Sequence, residues 1–314
     1  MTQSYNIEKI VGLKKLYYTR ETHEHLRDQF DRLLNSRREE LRQGITREGR
    51  AIALLGPSGS GKTTAVERLL YRHPELVLPE PDQERADVIS FRVPSPATLK
   101  DVGMTALDAL GYPLSRDRPA GIIWAMVREF LKKRQTLFLH IDEAQDLYTA
   151  NSDHVLRNVI NTLKSLMQHK DWPVSIILSG MPEVRKMLNF DPQLARRFYP
   201  IELEPLSLAA DEAMLKDMLS AYLRKAELRP SSDLLYTDFL MRLLHASAHE
   251  FGLVIELIIA AIEEAFIAPA DELRSEHFAC AFRRRTGCYD GMNPFVAPDY
   301  ADIDPRKLFP DLQD

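Results

Sequence analysis

Apolar positions along the chain alternate between two periods, and the alternation repeats. Residues 22–42 read as a charged amphipathic helix, with Leu26, Phe30, Leu33 and Leu34 at helical spacing and Thr22 as its N-cap. Residues 1–20 hold no sustained period and read as irregular. Ala51–Leu55 is an uninterrupted apolar run ending at Gly56, the pattern of a strand buried on both faces. Further strands read at 88–93, 136–141, 174–178 and 200–203, with helical stretches at 63–71, 99–110, 122–131 and 153–169 between the strands. In 122–131, for example, Ile123, Trp124, Val127, Phe130 and Leu131 line one helix face. Strands alternating with helices predict an α/β fold, a parallel sheet covered on both sides. After Pro205 no strand is legible, and 215–223, 234–244, 253–266 and 276–285 read as helices. The expected organisation is therefore an N-terminal segment and helix (1–50), an α/β core (51–205), a helical region (206–285) and a tail (286–314). The tail carries Pro294, Pro298, Pro305, Pro310 and several aspartates. Such a segment builds no core of its own and is either a docking arm or disordered.

Length and composition narrow the class. A chain of 314 residues suits about two domains. With 45% hydrophobic and 28% charged residues it is an ordinary globular protein. No apolar run reaches the ~20 residues that cross a bilayer. The first residues lack the apolar core of a secretory signal, so the mature chain is expected to start near Met1. Cys280 and Cys288 are the two cysteines, too few for a disulfide scaffold, which points to a reduced, cytoplasmic compartment. The 41 basic residues against 46 acidic ones give a net charge of −5. That excludes a nucleic-acid binder basic over its whole surface and leaves room for a local basic track. Glycine is scarce, 13 in all, yet Gly56, Gly59 and Gly61 stand together.

Those glycines belong to Gly56-Pro57-Ser58-Gly59-Ser60-Gly61-Lys62-Thr63, which fits G-x-x-x-x-G-K-[ST] between an apolar strand and a helix. The glycines let backbone N–H groups ring a polyphosphate, and the helix that begins here adds the positive end of its dipole. Lys62 supplies charge between the β- and γ-phosphates, the Thr63 hydroxyl is a ligand for Mg²⁺, and Thr64 continues the cradle. Leu137-Phe-Leu-His-Ile-Asp142-Glu143 is an apolar strand ending in two carboxylates. Asp142 is expected to hold the metal through water, and Glu143 to polarise the attacking water. Ser179, at the end of the fourth strand in S-G-M-P-E (179–183), reaches between these motifs to the water or the γ-phosphate. Arg196 and Arg197, in D-P-Q-L-A-R-R-F (191–198), precede the fifth strand, where an arginine can act on a neighbour's nucleotide as a finger.

A single strand, 88–93, lies between the phosphate-loop strand and the Asp142 strand. With the glutamate beside the aspartate, this resembles the additional-strand class of P-loop ATPases, which implies the sheet order 5-1-4-3-2. Together with the polar fourth strand, the arginine before the fifth and the all-helical lid, the chain resembles the AAA+ superfamily. I-D-E-A-Q-D-L (141–147), R-N-V-I-N-T-L-K (157–164), S-G-M-P-E, D-P-Q-L-A-R-R-F and N-P-F (293–295) are similar to transposition ATPases of the TniB/TnsC type, over roughly residues 15–297. The resemblance implies an ATPase that uses ATP and Mg²⁺, forms a homo-oligomeric ring or filament on duplex DNA, marks a target and recruits a transposase with its targeting factor, without a membrane. One departure stands out. Many AAA+ lids carry an arginine at the start of a late helix, and E-F-G-L-V-I-E-L (250–257) has none, which suits a slow switch.

DNA contact by such an assembly is through phosphates, repeated once per subunit. Thr98 and Lys100, after the second strand, are the candidates, and Arg283 to Arg285 form a second basic cluster. Two competing readings use the same motifs: an AAA+ switch of secretion or signalling, and a nucleotide-dependent protein adaptor that barely hydrolyses. His245 and His249, one helical turn apart, lack the further ligands of a zinc site. Tyr17 and Tyr18 stand where AAA+ proteins bind adenine, a place equally open to core packing. No Ser/His/Asp triad or three-carboxylate nuclease set is present in the sequence, so the chain is not read as the transposase itself.

Overall fold

The computed structural model describes residues 2–80, 83–148, 153–267 and 270–307. Its strands are β1 (Ala51–Leu55), β2 (Val88–Arg92), β3 (Phe138–Asp142), β4 (Ser175–Gly180) and β5 (Phe198–Glu202), with short β6 (Arg229–Pro230) and β7 (Glu272–Leu273). The helices are α1 (Thr2–Lys14), α2 (Glu21–Arg42), α3 (Lys62–Tyr71), α4 (Leu99–Ala109), α5 (Ala120–Lys133), α6 (Asp153–Met167), α7 (Val184–Phe190) and α8 (Pro192–Ala195). They continue as α9 (Leu208–Ala226), α10 (Thr237–Ala246), α11 (Phe251–Ile267) and α12 (Ser275–Thr286).

The chain divides into two compact units. An α/β unit holds Arg20–Ser58 and Lys62–Leu203; a helical unit holds Met1–Thr19, Gly59–Gly61 and Glu204–Asp314. In the α/β unit the five main strands form one parallel sheet in the order β2-β3-β4-β1-β5, the order 5-1-4-3-2 read from the other edge. Every residue of β1, β3 and β4 is buried. Alternate side chains of a strand point to opposite faces. Ala51, Ala53 and Leu55 therefore pack with Ala106 of α4, Ile123 and Val127 of α5 and Leu163 of α6. Ile52 and Leu54 pack on the other side with Leu26, Phe30 and Leu34 of α2 and Val66 and Leu70 of α3. With helices on both faces the inner strands show no amphipathic alternation, which is why β1 reads as a continuous apolar run.

Strand ends shift from the predicted bounds where pairing continues past the apolar run. β3 extends through Asp142 and β4 through Ser179 and Gly180, and both additions carry polar chemistry. The parallel pair β6–β7 lies where no strand was legible, being only two residues long on each side.

The helical unit corrects the reading of residues 1–20 as irregular. Residues 2–14 form α1, whose Ile10 and Leu13 are buried with Leu219, Tyr222 and Leu223 of α9. Among the described side chains of α1 two inward apolar residues are too few to set a period, so docking rather than propensity holds this helix. Tyr222 donates to the Leu16 carbonyl at 3.2 Å, tying down the chain beyond it. Thr22 is likewise not a cap: α2 begins at Glu21, and the extended Arg20 occupies the N-cap position.

The described part of the tail docks along its own unit, with Pro310 outside the described residues. Asn293, fully buried, donates through Nδ2 to the Ala279 carbonyl at 2.9 Å. Arg242 Nη1 donates to the carbonyls of Pro294 and Ala297, each at 2.7 Å. Phe295 lies among the rings of Phe239, Phe278 and Phe282. His245 Nε2 sits 2.7 Å from the Ile303 carbonyl and His249 Nδ1 2.9 Å from that of Leu206. Cys280 is exposed and Cys288 half-buried, both as free thiols.

Leu13 is completely buried. Leu13→Ala is expected to destabilise the protein by about 3 kcal/mol, the scale of a leucine-sized cavity. Chemical denaturation would show a lower midpoint at unchanged slope; an unmoved midpoint would mean that α1 does not hold its docked position in solution.

Candidate active site

Parallel register brings the carboxyl ends of the strands to one edge. Leu55 pairs with Gly180, Ile141 with Leu178, and Arg92 with Asp142. The loop after β1, the carboxylates ending β3 and the polar end of β4 therefore meet, the place where open α/β sheets bind ligands.

The loop has the backbone its glycines predict. Gly59 and Gly61 take φ of +82° and +92°, a region costly for any residue with a Cβ. Gly59–Gly61 group with the helical unit. There the Leu253 N–H donates to the Gly59 carbonyl at 3.2 Å, and a Cβ on Gly252 would stand 2.5 Å from the same oxygen. On the α/β side, the Gly56 N–H donates to the Gly180 carbonyl at 3.2 Å. Lys62, at the first turn of α3, donates Nζ to the carbonyls of Gly56 at 2.8 Å and Pro57 at 2.7 Å. In the loop Pro57 is half-buried, Ser58 exposed and Ser60 buried, and Thr64 follows Thr63 into α3.

Asp142 is the centre of the edge. It is buried, and its Oδ2 accepts from Thr63 Oγ1 at 3.1 Å while Oδ1 accepts from Ser179 Oγ at 2.6 Å. Burial pushes its pKa up, but the Ser179 bond, His140 and the Thr63 bond more than offset this and hold it below the ordinary carboxylate value. Asp142 is thus an anion fixed by two hydroxyls. The oxygens of Thr63 and Asp142, side by side with phosphate-loop amides, fit the hard oxygen ligands that Mg²⁺ prefers.

Glu143 turns the chain out of β3 with φ of +54°, a left-handed conformation unusual for a glutamate. Its Oε2 accepts from Gln145 Nε2 at 2.5 Å, and the Gln145 Oε1 accepts from the Met181 N–H at 2.9 Å. Gln145 therefore clamps Glu143 to the end of β4. The clamp explains Gly180, where a Cβ would stand 2.7 Å from Gln145 Oε1. Arg92 Nη2 lies 3.5 Å from Asp142 Oδ2 and 3.9 Å from Glu143 Oε1, adding a cation at the mouth.

The two arginines before β5 separate. Arg197 is buried, with Nη2 2.6 Å from Glu48 Oε2 and Nη1 donating to the Gln193 carbonyl. A side chain so enclosed cannot reach outward, and the arginine pair expected as a finger reduces to Arg196, which is exposed. Asp191 builds the turn that presents it, capping α8 through the N–H groups of Gln193 at 2.7 Å and Leu194 at 3.0 Å and pairing with Lys164 at 2.7 Å.

Thr98 and Lys100 both have local work. Thr98 caps α4, its Oγ1 accepting from the Asp101 N–H at 3.3 Å and donating to Asp101 Oδ2 at 2.7 Å. Lys100 pairs with Asp117, which exposed Arg116 and Arg118 flank. The Tyr18 hydroxyl donates to Asp217 Oδ2 at 2.6 Å, and burial and this carboxylate push the phenol up to about 12.

Sequence reasoning missed Arg92, Gln145 and His140. His140 alone had a legible signal, a polar residue inside an apolar strand and on the same face as Asp142.

The family model for the bacterial TniB protein matches residues 16–208. No curated protein matches the chain. Among solved structures, Cdc6p from Pyrobaculum aerophilum aligns with a TM-score of 0.58 at 17% identity, covering 85% of this chain and 68% of that one. The Aeropyrum pernix ORC1 protein, solved in complex with DNA, aligns at 0.58 and 14%, covering 84% and 65%. The Aeropyrum pernix ORC2 protein aligns at 0.55 and 17%, covering 86% and 69%. The chain thus spans about two thirds of the length of these structures, and the likeness shows a P-loop AAA+ fold.

Replacing Arg197 by alanine removes a buried cation from Glu48 and the Gln193 carbonyl, and is expected to cost about 2–4 kcal/mol of stability. Arg196→Ala should stay within about 0.5 kcal/mol, as for other exposed sites. Thermal melts of the two variants check this; equal losses would mean that Arg196 is also a packing residue.

Proposed function

The chain belongs to the TniB family, and on that premise we propose that it is a DNA-associated ATPase which assembles on duplex DNA, marks a target and recruits a transposase. The observation that carries the catalytic part is the Asp142 carboxylate held by Thr63 and Ser179 beside Lys62 and Glu143. In this reading the N–H groups of Gly56 to Thr63 cradle the phosphates of ATP, and Lys62 exchanges the loop carbonyls for phosphate oxygens. Thr63 and Asp142 would hold Mg²⁺, which would supply positive charge against the phosphates. Glu143 accepts a hydrogen bond from the attacking water, and Gln145 fixes the carboxylate that does so. Ser179 holds Asp142 in place from β4. The exposed Arg196 serves a neighbouring subunit, adding positive charge as the transition state develops. The absence of arginine from 250–257 favours a slow switch, in which ATP builds the assembly and hydrolysis dismantles it.

DNA contact in this reading follows the start of α4. Lys100 with Arg116 and Arg118 offers a short basic track, while Thr98 mainly shapes the turn that carries it. One such track per subunit is weak, and repetition along an assembly multiplies it. A chain of net charge −5 needs that multiplication, since its mean surface repels DNA.

Glu143→Gln keeps size and hydrogen bonding but loses the charge that polarises water. Phosphate release should fall about 10²–10⁴-fold, with ATP binding retained and ATP-driven assemblies persisting in sedimentation. Turnover at the wild-type rate would remove Glu143 from the mechanism.

Lys100→Ala should weaken DNA binding alike for all sequences. It should also lower the slope of log K against log salt by about 0.9 for each DNA phosphate that the lysine neutralised. ATP binding without DNA should be unchanged. A sequence-selective loss, or none, would move the DNA surface elsewhere, with Arg283 to Arg285 next.

A further inference from the structure

His140 stands in the middle of β3 and is 2% exposed. Register places Ser90 of β2 directly opposite it, and on the other side it pairs with Ile177 of β4, two residues before Ser179. The imidazole fills the gap between these hydroxyls: Nδ1 lies 2.7 Å from Ser90 Oγ and Nε2 2.7 Å from Ser179 Oγ. With Ser179 Oγ 2.6 Å from Asp142 Oδ1 and Thr63 Oγ1 3.1 Å from Oδ2, one row of polar atoms crosses the sheet from β2 to the start of α3.

The donor and acceptor capacities of these groups limit where the protons of the row can sit. Ionised Asp142 can only accept. Ser179 has one hydroxyl proton and gives it to Asp142, so Nε2 of His140 has to be the donor to Ser179 Oγ, whatever the charge on the ring. A ring carrying a single proton then has Nδ1 bare toward Ser90 Oγ, 2.7 Å away, and Ser90 is the donor to it. Ser90, half-buried at the far end, thereby selects the tautomer that Ser179 needs.

We propose that His140, with Ser90 behind it, is a positioning residue of the active site. Its Nε2–H occupies a lone pair of Ser179 Oγ and commits the serine proton to Asp142, so the carboxylate keeps one orientation. Without that donor the Ser179 hydroxyl can turn away, and Asp142 loses one of its two hydroxyl bonds. The inference rests on the ATPase reading for its kinetic consequence, and on hydrogen-bond geometry alone for the tautomer.

Histidine labelled with ¹⁵N in the full-length protein reads the tautomer directly, with the His140 signals assigned by their loss in His140→Gln. A protonated Nε2 with a bare Nδ1 is expected; a bare Nε2 would overturn the proposal. ATP turnover reads the consequence. Ser90→Ala should lower kcat about three- to ten-fold, the scale of one weakened hydrogen bond, with KM for ATP unchanged. Ser90→Thr, which returns the hydroxyl, should restore it. Turnover of Ser90→Ala at the wild-type rate, a loss carried by KM, or no recovery in Ser90→Thr would each make His140 a packing residue only. His140→Gln, which keeps an N–H at similar reach, should exceed His140→Leu in turnover if both fold, and the Ser90 pair decides if they do not. A wild-type chain without ATP hydrolysis would overturn the ATPase reading instead, and the imidazole signals would still decide the tautomer.

Discussion

A carboxylate taken out of water has to be matched by donors, and at Asp142 that requirement organises the whole edge of the sheet. Its two oxygens take hydroxyls from Thr63 and Ser179, residues 79 and 37 positions away in the chain. Neither donor can arrive unless β1, β3 and β4 run parallel and in one register, because the hydroxyls stand at the ends of their elements. Burial by itself would raise the pKa of this group; the hydroxyl bonds and His140 reverse the balance and keep it an anion. The anion is what fits the position for a hard cation beside a phosphate-binding loop.

Around this centre, packing separates residues of similar chemistry. Glu143 follows Asp142 directly, yet a left-handed turn sends it out of the strand, where Gln145 holds it against the end of β4. Arg196 and Arg197 are neighbours too. One is exposed on the short α8 turn, the other is sealed against Glu48. Two carboxylates and two arginines thereby split: Asp142 and Arg197 are buried, Glu143 is half-buried and Arg196 is exposed.

The helical unit follows a different rule. It gathers segments too weakly patterned to fold alone, α1 from the N-terminus and residues 287–307 from the tail, onto a core built by α9 to α12. Arg242 donates to two tail carbonyls, and buried Asn293 accepts from the tail's Phe295 N–H at 3.1 Å while donating to the Ala279 carbonyl of α12; satisfied backbone groups are the condition for an irregular segment to pack at all.

Local signals determined much of this protein from sequence alone. Short, mainly apolar segments set between helical stretches marked the five strands, and the inner ones lack regular polar alternation because helices cover both faces of the sheet. The glycine-lysine loop and the Asp-Glu strand end were legible because their chemistry depends on fixed spacing over a few residues, and the sheet order later seen was what their resemblance to the additional-strand class of P-loop ATPases implied. The tertiary structure alone decided what depends on distant segments meeting. α1 was invisible because it is held by docking on α9 and α11, not by its own period. Arg92, Gln145 and the Ser90–His140–Ser179 row emerged only with the register of β2, β3 and β4. The division between Arg196 and Arg197 rested on burial by Glu48, far away in sequence. A residue's type and spacing can be read along one dimension, but its partners, burial and proton positions are set by which strands lie side by side.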